Sequence, residues 1–349
     1  MIETILADMT EQIDAAALQQ AGEILRSGGL VAFPTETVYG LGADALNAES
    51  SRKIYAAKGR PSDNPLIVHI AKTEDLYRIA AEVPKAAEKL AEKFWPGPLT
   101  MIFKKADCVP YATTGGLDTV AVRMPDNEIA LKLISAGGGY VAAPSANTSG
   151  RPSPTTAQHV AEDMSDRIEM ILDGGSVGIG VESTIVDLSE DVPMILRPGY
   201  INREMLEEVI GEVRLDPALL SVDATVRPKA PGMKYRHYAP KADMIIVEGQ
   251  TEDVICEINH RIEEERKAGG KPGVIASEET KDQYVGAVVK SMGSRKDELS
   301  ISRHLYSVLR AFDEEGVSRI FSESFDTPML GTAIMNRLEK AAGHQILEV

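Results

Sequence analysis

Hydrophobic periodicity runs along this chain on both sides of one gap, and that gap constrains the fold more than any single motif does. Across residues 212–242 prolines and charges are interspersed with no sustained helical or strand period. The chain has 349 residues, and domains run about 100–200 residues each, so two patterned stretches separated by a gap imply two separately packed cores. The sequence therefore divides into a first domain at 1–211, a linker at 212–242 and a second domain at 243–349.

In the first domain, residues 14–27 carry apolar groups at helical spacing, Gly28 and Gly29 stop that helix, and LVAFPT reads as a buried strand. A helix over SSRKIYAAK breaks at Gly59 and Pro61, the strand PLIVHI follows, and helical patterns continue through residues 73–94. Short strands then follow at LTMIFK, TVAVRM, YVAAPS, EMILDG, STIVDL and MILRPG. The expectation is an α/β or α+β sheet domain in which loops at strand ends carry the chemistry. Beyond the gap, strands and helices alternate from ADMIIVEG to AIMNRLEKAAG, which predicts a small Rossmann-like α/β domain with a parallel sheet. The linker holds Met233, Tyr235, His237 and Tyr238, a set foreign to passive Gly, Ser or Pro spacers, so it is expected to function.

Charge narrows the partners. The formal net charge is −16, which works against direct capture of a nucleic-acid backbone, and any contact with tRNA is expected to be indirect. Cys108 and Cys256 form no CxxC pair, which fits a reducing compartment and excludes a recognisable zinc-ligand spacing. No apolar run approaches the roughly 20 residues of a membrane span, and the first residues lack the pattern of a secretory signal. A cytoplasmic protein without membrane attachment is expected.

The P-loop pattern GxxxxGK[ST] is absent. Gly40-Leu41-Gly42 is only the start of a dinucleotide fingerprint, and GGSVGIG at Gly174–Gly180 leads into strand-like sequence where a helix is required, so both read as turns. Lys58-Gly59-Arg60-Pro61-Ser62 places two cations on a kinked loop. Those residues fit a phosphate grip and a solvated turn equally well. Pro144-Ser145-Ala146-Asn147-Thr148-Ser149-Gly150-Arg151-Pro152-Ser153 gathers hydroxyls and an amide at a strand end, which suits phosphate, ribose or base as well as plain turn and cap duty.

Taken in order, Pro34-Thr35-Glu36-Thr37-Val38-Tyr39-Gly40-Leu41-Gly42, the KGRP loop with PLIVHI, WPGPLT, Arg123-Met124-Pro125, the APSAN loop, Glu182-Ser183-Thr184 and Leu196-Arg197-Pro198-Gly199 closely resemble the YrdC/Sua5 family, the threonylcarbamoyl-AMP synthases. The Lys-x-Arg and Ser-x-Asn signature of that family stands here as Lys58, Arg60, Ser145 and Asn147. The linker sequence PGMKYRHYAP and the α/β tail resemble the longer Sua5 form. One departure is Ala230, where many Sua5 linkers carry serine and one hydroxyl contact is lost.

The resemblance implies a YrdC-like open α/β sheet with a cationic cavity, followed by the linker and a small Rossmann-like α/β/α Sua5 domain. It implies conversion of L-threonine, bicarbonate and ATP to threonylcarbamoyl-adenylate and pyrophosphate, the first step towards N6-threonylcarbamoyladenosine in tRNA. It assigns catalysis to Lys58, Arg60, Ser145 and Asn147, and L-threonine binding to Thr35, His69, Arg123 and Ser183. It assigns ATP binding to Lys58, Arg60, Ser62, Thr119, Ser145, Asn147, Ser153, Arg197, Tyr235 and His237. Mg²⁺ would arrive on ATP with no metal ligand from protein side chains, and the functional partner would be a Kae1/TsaD-type tRNA threonylcarbamoyltransferase. Glu36 and Glu182 are left to orient loops or metal-bound water, and no residue is marked as general base. The alternatives are a double-stranded RNA or tRNA binder without catalysis, which the acidic composition disfavours, and carbamoyl transfer to another acceptor. The hydrogenase-maturation proteins with a YrdC-like module use zinc-finger and acylphosphatase-like parts for which this chain has neither the cysteines nor the length. A scaffold that has lost activity is disfavoured by the intact Lys58, Arg60, Ser145 and Asn147.

Overall fold

The computed structural model describes residues 2–219 and 238–349, and within them the chain forms two compact units. The first takes the chain up to Ser149, Ser153–Gly178 and the stretch from Glu182 to residue 219; the second takes Gly150–Pro152, Ile179–Val181 and the chain from residue 238 onward. The units interleave in sequence, so a linear reading assigns the two tripeptides to the other unit.

The first unit is built on strands β1 (Ile5–Asp8), β2 (Val31–Phe33), β3 (Gly40–Asp44), β4 (Ile67–His69), β5 (Leu99–Lys104) and β6 (Thr119–Arg123). It continues with β7 (Val141–Ala142), β8 (Met170–Asp173), β9 (Thr184–Asp187), β10 (Met194–Arg197) and β11 (Arg214–Leu215). Among the described residues these make one mixed sheet of order β1-β8-β2-β3-β7-β4-β6-β5-β9-β10-β11. The helices are α1 (Ala15–Arg26), α2 (Ala48–Lys58), α3 (Leu76–Ile79), α4 (Lys85–Phe94), α5 (Glu128–Ala136), α6 (Ala157–Met164) and α7 (Arg203–Ile210).

Side chains alternate across a strand, so each strand divides its residues between two faces. Ala32, Leu41, Val68, Met101, Val122, Ile171 and Val186 enter the larger core, with Ile54 of α2, Leu90 of α4, Val160 of α6 and Leu206 of α7. The intervening positions Val31, Phe33, Val141, Met170 and Leu172 pack on the opposite face with Leu25 of α1 and Leu133 of α5. Farther along, over β4, β5, β6, β9 and β10, a third and smaller cluster of Ile67, Ile102, Ala121, Ile185 and Leu196 forms an apolar floor. The polar residues of the site stand beside that floor.

Two helix boundaries place the site loops. Asp14 caps α1 by accepting from the Ala16 and Ala17 amides, in keeping with the helix read over 14–27. Asn47 caps α2, which ends at Lys58 because Gly59 turns into the left-handed region at φ 62°, where a side chain is disfavoured. The opening strand β1 was not legible as a strand: it is short, largely exposed and held by parallel pairing with β8. The stretch after residue 212 begins as structure, since Arg214–Leu215 pairs with β10 and Leu215 and Leu219 pack on the larger core. Tyr235, His237 and Ala230 lie outside the described residues.

The second unit contains β12 (Asp243–Glu248), α8 (Thr251–Lys267), β13 (Pro272–Ala276), β14 (Val288–Ser291), α9 (Glu298–Glu315), β15 (Arg319–Glu323), α10 (Gly331–Ala341) and β16 (Ile346–Glu348). Every pairing in its sheet is parallel, as the strand–helix alternation implies. The order is β14-β13-β15-β12-β16, which sets the first strand between the fourth and fifth; in the dinucleotide-binding order 3-2-1-4-5-6 it lies between the second and fourth. A buried carboxylate, Glu323, fastens the strand ends: it accepts from Ser277 N at 3.2 Å, Tyr284 Oη at 2.7 Å and Arg295 Nη2 at 2.7 Å, with Thr280 beside it.

The chain's one tryptophan, Trp95, is buried in the first unit and donates through Nε1 to Leu99 O at 2.7 Å, so its fluorescence reports on that unit. Leu90 is fully buried in the same core, and Leu90→Ala should destabilise the first unit by about 2–5 kcal/mol. The check is urea unfolding followed at Trp95; an unmoved midpoint would show that this core does not limit stability.

Candidate active site

Strand register assembles one side of the site. His69 lies opposite Arg123, Arg123 opposite Thr100, Thr100 opposite Ile185, and Ile185 opposite Arg197 across a bulge. Directly paired residues project to the same face, so a sequence-scattered set becomes one row across β4, β6, β5, β9 and β10.

Arg123 is 4% exposed. Its Nε donates to Gly97 O at 3.3 Å and its Nη1 to Thr37 Oγ1 at 3.0 Å. Its Nη2 stands 2.6 Å from Glu36 Oε1, yet among the described residues neither atom completes an aligned hydrogen bond and Glu36 Oε2 has no hydrogen-bond donor. The contact is a close ion pair whose directions are not satisfied. Thr35 donates to Val38 O at 2.6 Å and accepts from the Thr37 and Val38 amides. That turn holds Glu36 and Thr37 against Arg123, and it commits the Thr35 hydroxyl hydrogen to the loop itself.

His69 donates through Nδ1 to Ile67 O over 3.1 Å and meets the Phe33 ring edge-on. Burial, reinforced by the positive charge of Arg123, pushes its pKa down to about 3. The imidazole is therefore neutral in neutral solution and suits polar recognition better than proton transfer.

At the other end of the row Ser183 is 1% exposed. Its Oγ accepts from Arg197 Nη2 at 3.2 Å and shares a 2.7 Å hydrogen bond with Thr100 Oγ1, while Arg197 Nε donates to Ser183 O at 3.1 Å. Two hydroxyl hydrogens thus meet a single hydroxyl–hydroxyl bond. Whichever oxygen donates in that bond, one hydrogen of the pair is left over, and an anionic oxygen would receive it.

A second group forms where α2 ends. Lys58 Nζ, buried, donates to Asn147 O at 2.5 Å, to Asn147 Oδ1 at 3.5 Å and to Ser145 O. Ser145 Oγ donates to Asn147 Oδ1 at 2.5 Å, and Ser149 N donates to Lys58 O at 2.9 Å. The Lys58 ammonium is the hub of the Ser145–Asn147 loop. Arg60 donates from Nε to Asn64 O at 3.3 Å and from Nη2 to Pro65 O at 3.2 Å, which closes its own loop around a guanidinium. Tyr39 joins the two groups through its backbone: its amide donates to Pro154 O, and its carbonyl accepts from Ala146 N.

The remaining sequence candidates are less concentrated. Ser153 is fully buried and donates to Glu182 Oε1 at 2.6 Å, tying its loop to the Glu182-Ser183-Thr184 turn. Thr119 opens β6 on the same face as Arg123, four residues away and so about 13 Å along the strand. Ser62 is exposed on the loop after Gly59. Tyr235 and His237 lie outside the described residues. Sequence reasoning did not single out Thr37 or Thr100 and left Glu36 to orient its loop or metal-bound water; Glu36 and Thr37 sit inside the PTET segment and Thr100 closes the WPGPLT segment, but the relation of Thr100 to Arg123 and Ser183 becomes visible only through register. Among the described residues no three His, Cys, Asp or Glu side chains converge as a metal-binding group, and no helix is long and apolar enough to cross a membrane.

His69 supplies a pH test. Its folded pKa lies below the ordinary value of about 6.5, so below that pH the unfolded chain binds a proton that the folded chain refuses. The stability held above pH 6.5 is lost progressively as pH falls toward 3. Urea unfolding at Trp95 should therefore show wild type losing more stability between pH 7 and 5 than His69→Asn, by at most the about 1.4 kcal/mol per pH unit of one proton. Parallel losses in the two proteins would mean that His69 does not titrate on unfolding.

Comparisons with known proteins identify the family. Residues 23–199 match the Sua5/YciO/YrdC family model, whose description is "Telomere recombination", and residues 201–343 match the model "Threonylcarbamoyl-AMP synthase, C-terminal domain". The threonylcarbamoyl-AMP synthase of Pyrococcus abyssi is 51% identical over 348 residues, 99% of this chain and 100% of the relative. That of Bacillus subtilis is 48% identical over 343 residues, 97% of each chain. The crystal structure of P. abyssi Sua5 complexed with L-threonine superposes with a TM-score of 0.94 at 49% identity, covering 99% of this chain and 100% of that one. With both family models matched in order and near full-length identity to these relatives, the chain belongs to the Sua5-type family of threonylcarbamoyl-AMP synthases.

Proposed function

We propose that this chain condenses L-threonine, bicarbonate and ATP into threonylcarbamoyl-AMP and pyrophosphate. The observation that carries the reading is the arrangement of buried cations: Lys58 bonded to the Ser145–Asn147 loop, and Arg123 and Arg197 on one sheet face, with Ser183 bonded to Arg197. Carbamylated threonine is a dianion, and it must attack the α-phosphate of a polyanion, so the site has to neutralise charge and align the attacking oxygen with the leaving pyrophosphate.

In this reading Lys58, Arg60, Ser145 and Asn147 hold the triphosphate and stabilise its charge, with Ser62, Thr119, Ser153 and Arg197 completing the nucleotide contacts. Arg123 takes the amino-acid carboxylate in a forked hydrogen bond. Ser183 donates the hydroxyl hydrogen left over beside Thr100 to an anionic oxygen. Neutral His69 reads the side-chain hydroxyl, and a site built to bond that group rejects analogues lacking it more strongly than an apolar pocket can. Mg²⁺ enters on the phosphates of ATP as part of the substrate, supplying charge neutralisation there; the carboxylates Glu36 and Glu182 are engaged with Arg123 and Ser153 instead. The linker, through Tyr235 and His237, serves as a lid that excludes water from a hydrolysable adenylate.

The product carries an activated carbamoyl group, so the downstream step is group transfer to a nucleophile. We assign that step to a Kae1/TsaD-type transferase acting on tRNA in the cytoplasm, with tRNA contact by this chain indirect.

Purified protein incubated with ATP, Mg²⁺ and bicarbonate should release pyrophosphate in an L-threonine-dependent manner and yield the adenylate by mass, with serine as the weaker control. Lys58→Ala and Arg123→Ala should each lower kcat/KM by about 10²-fold or more, the loss of one charged group that stabilises developing charge. Deleting residues 231–240 should abolish product accumulation. ATP binding without either product would refute the reaction while leaving a nucleotide site.

A further inference from the structure

We propose that Glu36 receives the α-ammonium of the amino-acid substrate, so that the Glu36–Arg123 pair is a ready-made counterpart for a zwitterion. The inference deepens the function proposed above and rests on L-threonine being the substrate.

The first observation is an accounting of hydrogen bonds. Both carboxylate oxygens of Glu36 are buried; Oε1 lies 2.6 Å from Arg123 Nη2 without an aligned bond, and Oε2 has no donor among the described residues. A buried ionised oxygen without a donor is costly, and the requirement is met when a ligand brings one. Arg123 itself is held by Gly97 O and Thr37 Oγ1, so its position does not depend on Glu36 alone. Glu36 is therefore the partner that can change its contact while the guanidinium stays in place.

The second observation is what surrounds the pair. The cations nearby satisfy anions, His69 is neutral across the working pH range, and Ser183 with Thr100 carries a spare hydrogen but no negative charge. Thr35 and Thr37 are bonded to one another and to the loop or Arg123. Among these residues the Glu36 carboxylate is the anionic acceptor. An α-amino acid presents its carboxylate and its ammonium on adjacent carbons, which matches a cation and an anion held in contact: the carboxylate to Arg123, the ammonium to Glu36. A substrate held through its ammonium is an amino acid and not a hydroxy acid, so Glu36 is a specificity-determining residue.

The test compares L-threonine with its α-hydroxy analogue, which keeps the carboxylate and side-chain hydroxyl and lacks the ammonium, by calorimetric titration of full-length wild type, Glu36→Gln and Glu36→Asp. ATP affinity, measured on each variant, reports a folded nucleotide site. Wild type should prefer L-threonine by at least about tenfold, the scale of one charge-assisted hydrogen bond. Glu36→Gln should erase that preference by weakening L-threonine alone, and Glu36→Asp should restore part of it. Equal weakening of both ligands in Glu36→Gln, or an unchanged preference, would overturn the proposal and leave Glu36 as a clamp on Arg123 with water at Oε2. Wild type binding neither ligand while still binding ATP would overturn the threonine reading itself, and the assignment of Glu36 with it.

Discussion

Burying positive charge is the constraint around which the first unit is organised. Lys58, Arg60, Arg123 and Arg197 are each less than a tenth exposed, and a charge withdrawn from water must be met by acceptors or the fold fails. Loop carbonyls supply them: Ser145 and Asn147 for Lys58, Asn64 and Pro65 for Arg60, Gly97 for Arg123, and Ser183 for Arg197. The loops that define the site are thus shaped by the cations they enclose. Neutral carbonyls orient these cations, and at Arg123 the carboxylate of Glu36 adds a counter-charge. In a chain with net charge −16 these buried cations are local exceptions, and under the proposed function they would let an acidic protein gather phosphate and carboxylate groups without a basic surface.

The sheet does the rest of the positioning. The two-residue period sends Val68, Val122 and Met101 into the larger core while His69, Arg123 and Thr100 turn to the opposite face. The strands are therefore locked in register by their apolar side, and a slip of one residue would send the polar row into the core. Precision at the site is inherited from packing on the other side of the sheet, as it should be when a binding constellation is mounted on strands and not on loops alone.

Legibility in the sequence followed this same division. Strands buried on both faces, such as those at PLIVHI, LTMIFK and STIVDL, announce themselves as apolar runs, and the helices with Asp14 and Asn47 caps announce their starts. The strand Gly40–Asp44 is harder to read because two of its five residues are glycines and carry no side chain to alternate. The family signature pointed to Lys58, Ser145 and Asn147, which the fold brings into direct contact. It could not point to Thr100, whose relation to Arg123 and Ser183 is created by pairing between strands far apart in sequence. The order of the second sheet was equally hidden: alternation implies parallel strands, but the neighbour of each strand is decided by how helices cross over.

Charge accounting also bears on the order of events. A zwitterion enters with no net charge, so it can occupy Arg123 and Glu36 while the nearby cations keep their attraction for ATP. On the proposed reading, carbamylation by bicarbonate would convert the ammonium into a carbamate anion with release of water and one proton, and a carboxylate at Glu36 would then face a like charge. Repulsion would then favour displacement of the carbamate from Glu36 towards a group able to donate to an anion, such as the spare hydroxyl hydrogen beside Arg197. If Glu36 selects the amino group, the same residue would in this way disfavour the carbamate in its first position.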